Sequence, residues 1–204
     1  MIKRLIQIFA TVGIAATAAC APTASIPTEP VETTPALPLM AWEHRPEADS
    51  WTTATLTALE THGAPLLQSV PGDIDVWCPG YRTASEEDRA AFWAGVFSAL
   101  ARHESTWNPR AVGGGDRWFG LTQISPATAR GYACEARTGS DLLNGAANLA
   151  CAVRIAARTV LRDGVVASGR RGLAADWAPF LNSSKRSEMI AWTREQPFCA
   201  TPAQ

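Results

Sequence analysis

Apolar residues recur at helical spacing through Phe92, Trp93, Val96, Phe97 and Leu100. Ser85 precedes this run as an N-cap, with Asp88 three residues on in a capping-box pattern. Asn108-Pro109 predicts where the helix stops. A second run sets Leu142, Ala146, Leu149, Val153 and Val160 on one face, predicting a long helix from about Ser140 to Asp163, closed by Gly164. A shorter helix should start at Asp49 or Ser50 and end at Gly63, and Ser125-Pro126 reads as an N-cap with proline at the first helical position. Arg171 to Trp177 and Ser184 to Glu195 also read as helical, whereas Pro65 to Gly80 is rich in turn residues. No sustained alternation argues for a sheet, and no internal repeat is visible. The pattern predicts a mainly α domain with long loops.

The first residues follow another pattern. Lys3 and Arg4 precede twelve mostly apolar residues, Leu5 to Ala16, and then small ones, as in a secretory signal. The run is too short to span a bilayer. Thr17-Ala18-Ala19-Cys20 is similar to a bacterial lipobox, with Thr17 where leucine is usual. Cleavage after Ala16-Thr17-Ala18 is the alternative. Residues 21–40 contain nine Pro or Thr, a composition that favours an extended tether. The expected organisation is a signal peptide at 1–19, a lipid-anchored tether at 20–45 and one domain at 46–204. By analogy with other lipoproteins, Ala21 after the cysteine points to the outer membrane of a Gram-negative bacterium. A soluble periplasmic or secreted protein is the alternative.

Charge and cysteines narrow the picture. The whole chain carries −1, and loss of residues 1–19 removes Lys3 and Arg4 and leaves −3, which argues against a general nucleic-acid binder. Arg154, Arg158 and Arg162 recur at every fourth residue, the pattern of a solvated helix face. Lipidation of Cys20 would leave Cys78, Cys134, Cys151 and Cys199, an even number for an oxidising compartment. Three pairings are open. We expect Cys134–Cys151, tying a loop to the long helix, and Cys78–Cys199, tying the ends of the domain. No metal-ligand spacing is present, no nucleophilic Ser/His/Asp order occurs, and no cofactor is expected.

The candidate chemistry lies at the end of the first long helix. On a helical projection Glu104 falls between Leu100 and Phe97, near Trp93, at the edge of the buried face. An ordinary glutamate is almost wholly ionised at pH 7. Apolar surroundings disfavour the charge, and a carboxyl that keeps its proton can serve as a general acid. A partly buried glutamate that caps the helix, or that pairs with an arginine such as Arg110, is the plainer reading. His103 points about 100° away from Glu104 and is given no role. Trp107, Trp118 and Phe119 are aromatic at loop junctions, where packing is commoner than sugar stacking.

ESTWNPRAV at 104–112, GLTQISPATA at 120–129 and DLLNGAANLACAVRIA at 141–156 together resemble the soluble lytic transglycosylase (SLT) family. The resemblance spans roughly residues 80–180. It implies a lysozyme-like helical domain and, as partner, the glycan strand of peptidoglycan; a monomer is expected. It implies Glu104 as catalytic acid-base, with Ser105, Gln123 and Asn148 lining the sugar site. The family's Met is Thr122 here, and the family's A-Y-N-A-G is matched only by AADWAPF at 174–180. Asp176 or Trp177 stands where the tyrosine would be, and both are expected to meet substrate. The family reaction uses one glutamate: it protonates the glycosidic oxygen after N-acetylmuramic acid and then deprotonates the same sugar's 6-hydroxyl, closing a 1,6-anhydro ring. Were water to attack instead, as in a lysozyme-type hydrolase, Asp116 and Asp176 are the candidate second carboxylates.

Overall fold

The structure, a computed structural model, describes residues 36–201, so the signal segment, Cys20 and most of the tether lie outside the described residues. The elements run α1 (Ala48–Glu60), α2 (Ala64–Gln68), α3 (Ile74–Trp77), α4 (Glu86–Ser105), β1 (Val112–Gly113), β2 (Trp118–Phe119), α5 (Pro126–Gly131), α6 (Gly139–Leu142), α7 (Gly145–Asp163), β3 (Ala167–Ser168), β4 (Arg171–Gly172) and α8 (Ser183–Arg194), with short 3-10 turns between some of them. The fold is a lysozyme-like helical one. Its strands form two small antiparallel ribbons, β1 with β2 and β3 with β4.

α4 is the central element. Every residue from Ala90 to Ala101 is buried, so this helix is covered on all sides rather than along one stripe. Ser85 caps it by accepting from the Asp88 N–H at 3.1 Å. α8 packs against α4 from one side and α1 from another, while α1 lies along α7. Trp93 donates its indole N–H to the Tyr81 hydroxyl at 3.0 Å, which satisfies both polar tips inside the core. The core continues into the segment before α1. Met40 and Trp42 are buried, and Trp42 donates to Thr52 at 2.9 Å. The core therefore reaches six residues ahead of the expected boundary at 46, because two large apolar side chains at 40 and 42 have a place in it.

Three helix expectations change. The predicted helix over 140–163 is two helices, broken at Leu143-Asn144, where the Asn144 side chain caps α7 by accepting from Ala147 at 3.1 Å. Arg171 to Trp177 is not a helix: it is strand β4 followed by a single 3-10 turn, Leu173–Ala175. α1 begins at Ala48, with Glu47 rather than Asp49 or Ser50 at its cap position.

Both expected disulfides are present. Cys134–Cys151 joins the loop after α5 to α7, and Cys78–Cys199 joins the start of the domain to its end. The second is continued by a backbone hydrogen bond from Gly80 to the Cys199 carbonyl at 3.0 Å.

Candidate active site

Glu104 is the penultimate residue of α4. The helix stops there because Thr106 and Trp107 both turn left-handed, with φ of 53° and 55°. That conformation is costly for residues with side chains, and two contacts hold it. The Trp107 N–H returns to the Ala101 carbonyl, and its indole donates to the Ser98 carbonyl at 2.8 Å. Among the described residues the Glu104 carboxyl takes part in no hydrogen bond or ion pair, so the expected alternative of pairing with Arg110 is not met. Burial pushes its pKa from 4.5 up to about 7, and the Lys185 ammonium opposes that rise.

Ser105 donates to the Leu121 carbonyl at 2.8 Å and to Ala101 at 3.1 Å. Its hydroxyl thus pins the 120–124 segment to the residue beside Glu104. Gln123, at φ 50°, spends its amide donors on the carbonyls of Gly120 (2.9 Å) and Ala111 (3.2 Å). Asn148 is wholly buried, at 0% exposure. Its oxygen accepts from the Thr122 N–H (2.9 Å) and hydroxyl (2.7 Å), and its amide donates to the carbonyls of Phe119 (2.9 Å) and Leu142 (3.1 Å). The expectation that Asn148 lines a sugar site is therefore corrected: its hydrogen-bonding groups are spent on holding the loop that follows β2. Gly120 is part of the same arrangement. At φ 78° a side chain there would be strained, and a methyl would run into the Leu142 carbonyl and the Asn148 amide.

Trp177 needs a similar correction. It is only 3% exposed, lies edge-on to Phe97 with ring centroids 6.3 Å apart, and donates its indole N–H to the Thr122 carbonyl at 2.9 Å. No face is left for stacking on a sugar. Thr122 is thus gripped by Asn148 on its N–H and hydroxyl and by Trp177 on its carbonyl. This explains how a threonine can stand buried where the family has methionine: every polar group it adds has a partner.

Asp176 accepts from the Tyr132 hydroxyl at 3.2 Å. Burial raises its pKa, and the charges that bear on it are those of Arg162 and Asp163, with Glu104 not among them. Asp116 sits exposed between β1 and β2 in a left-handed conformation. Of the three aromatics, Trp107 packs edge-on against His44 with centroids 4.6 Å apart. Phe119 is half-buried, and Trp118 stays 42% exposed with the Arg117 guanidinium 4.8 Å above its ring. His103 faces Glu188 at 3.8 Å, away from Glu104 as its position on the helix requires.

Sequence reasoning missed Lys185. It lies 81 positions beyond Glu104, and only the packing of α8 against α4 brings the two together. No spacing rule reaches across such a gap.

A half-buried, unpaired carboxyl at the end of a central helix, next to a residue whose hydroxyl holds the Leu121 carbonyl, is the candidate site of this lysozyme-like fold. Residues 83–162 match the transglycosylase SLT domain. At the level of the family, this domain stands for lytic-transglycosylase-type action on peptidoglycan. Among solved structures the chain is similar to Bd0314 DslA, wild-type form 2, at TM-score 0.74 and 26% identity, covering 81% of this chain and 100% of that one. Two variants of Bd0314 DslA, each with one glutamate replaced by glutamine, match at TM-scores of 0.74 and 0.72 with 26% and 27% identity and the same coverage. No curated protein matches the chain.

Proposed function

We propose that this protein is a peptidoglycan lytic transglycosylase in which Glu104 is the only acid-base. The observation that carries this reading is the Glu104 carboxyl itself, unpaired, half-buried and with a pKa near 7. A group poised there is protonated often enough to give a proton to the glycosidic oxygen and is basic enough, once ionised, to take one back. The bond between N-acetylmuramic acid C1 and the bridging oxygen breaks as that oxygen receives the Glu104 proton. The acetamido oxygen of the same sugar supports the positive charge at C1. Glu104, now a carboxylate, removes the proton from the 6-hydroxyl, whose oxygen closes on C1. The proton balance on Glu104 is restored, and no water is consumed.

Of the two other candidate carboxylates, Asp176 is held by the Tyr132 hydroxyl at 3.2 Å and Asp116 lies exposed between β1 and β2; either would have to face the same sugar as Glu104 to support hydrolysis. Ser105, Gln123, Asn148, Thr122 and Trp177 serve by fixing the backbone around Glu104, and Trp118 is the aromatic left free to meet a sugar ring. Lipidation of Cys20 would anchor the enzyme at the membrane. The other four cysteines are consumed in disulfides, which suit an oxidising compartment. Among the described residues no helix is long and apolar enough to cross a membrane. Mass spectrometry of the full-length protein from cells, compared with Cys20→Ala, tests the anchor: a diacylglyceryl mass is expected on the first and not on the second.

The enzymatic reading is tested by digesting purified peptidoglycan and weighing the products. Anhydro-ended fragments are expected from the wild type and none from Glu104→Gln. Reducing ends would assign a hydrolase, and intact glycan with retained binding would assign a wall-binding protein.

A further inference from the structure

The turn that ends α4 just after Glu104 is held from outside the helix. Thr106 and Trp107 are both left-handed, at φ 53° and 55°, a conformation that a β-branched or bulky residue adopts only under constraint. Thr106 is exposed and Trp107 is half-buried. Trp107 borders a hollow of about 220 Å³ between α4 and α8, lined also by Ala41, Ala99, Met189 and Trp192. Packing therefore does not enclose the indole, and the turn depends on a few specific contacts.

Those contacts lead back to the segment before α1. His44 sets its ring edge-on to Trp107, with centroids 4.6 Å apart and planes at 72°. The Trp107 indole donates to the Ser98 carbonyl at 2.8 Å. The Ser98 hydroxyl accepts from the Ala41 N–H at 3.1 Å and donates to the Gly95 carbonyl at 2.8 Å. One wholly buried residue of α4 thus ties down both the tryptophan and the segment. The segment has a fixed place of its own. Met40 and Trp42 are in the core, and the Glu43 carboxylate accepts from the Met40 N–H at 2.7 Å. His44, by contrast, is exposed and adds little to the core. What it contributes is an edge against Trp107.

We propose that residues 40–44 form a clamp that positions Glu104, with His44 as a positioning residue acting through Trp107. These residues lie outside the 83–162 span that matches the SLT domain. With the clamp closed, the left-handed turn stays formed and the end of α4 keeps one geometry. With it released, Thr106 and Trp107 relax toward commoner backbone conformations, and the carboxyl two residues before Thr106 leaves its reacting position. A displacement of about 1 Å is enough to slow a positioned acid. The inference rests on the reading of Glu104 as the acid-base and adds what holds that residue in place.

Hydrogen exchange of the Trp107 indole N–H, followed by NMR in the full-length protein and assigned by its loss in Trp107→Phe, reads the clamp. His44→Ala should speed that exchange about two- to tenfold, the range of one aromatic edge contact. It should lower kcat on soluble peptidoglycan fragments by a similar factor with KM unchanged, since a misplaced acid still lets sugar bind. His44→Phe keeps an aromatic edge against Trp107 and should restore both. His44 is exposed, so these variants fold, and thermal unfolding checks that they do. Exchange unmoved by His44→Ala, faster exchange with kcat unchanged, or a loss that His44→Phe does not restore overturns the proposal. Failure of the wild type to cleave peptidoglycan would instead overturn the enzymatic reading, and indole exchange would still show whether His44 holds the turn.

Discussion

A carboxyl that resists ionisation in the folded state must leave a mark on stability. In the unfolded chain Glu104 loses its proton around 4.5, and in the folded protein only around 7. Below 4.5 both states are protonated and the group contributes nothing to pH dependence. Between the two values the unfolded state ionises first, so stability falls as pH rises, and above 7 the full cost is present. At about 1.4 kcal/mol for each tenfold change in proton affinity, the difference is on the order of 3 kcal/mol. Glu104 is partly exposed, and water screening lowers this to about 1–3 kcal/mol. Glutamine keeps the shape and never ionises. Glu104→Gln should therefore match the wild type at pH 4 and exceed it at pH 8. For a domain of this size, at about 2–4 °C per kcal/mol, that is roughly 3–10 °C in Tm. Scanning calorimetry at pH 4, 5.5, 7 and 8.5 reads the effect. A difference that stays constant across the series would refute the claim that the folded state holds the proton.

Further outcomes follow from the same geometry. Asn148→Ala should cost about 3 kcal/mol in urea unfolding and abolish cleavage, because it strands both polar groups of Thr122 and two carbonyls in the interior. A loss below about 1 kcal/mol would mean the network is not needed. Serine replacement of Cys78 and Cys199 should lower stability by about 4–5 kcal/mol, against about 3 for Cys134 and Cys151, since the first pair closes a span of 121 residues and the second of 17. The reverse order, by thermal unfolding, would contradict the loop argument. The kcat/KM for peptidoglycan should fall above pH 7, by about tenfold per pH unit once Glu104 is ionised. A profile flat to pH 9 would remove Glu104 as the acid.

Local signals carried the helices, their caps and the position of Glu104. Ser85, Ser125 and Asn182 each cap a helix by accepting a backbone N–H, and the first two are legible from residue type and the run that follows. Glu104's place at the edge of a buried face followed from the projection of α4. What failed was the inference from a polar residue on a helix to a cleft. Asn148 projects away from the Leu149 face, but α7 is covered on that side too, by the loop that Asn148 itself holds. Trp177 failed likewise: its indole found the Thr122 carbonyl, 55 positions earlier. The break at Asn144 was hidden because the apolar period runs through it. Met40 and Trp42 sit at the end of a Pro/Thr-rich stretch whose composition masked two core side chains. Lys185 required tertiary packing, which periodicity does not report.

The central claim is that the Glu104 carboxyl stays protonated near neutrality, and carbon-13 NMR of the glutamate side-chain carboxyls reads it directly. With the resonance assigned by its loss in Glu104→Gln, the titration midpoint should fall near 7, and in Lys185→Gln it should move higher. A midpoint close to 4.5 would contradict the account.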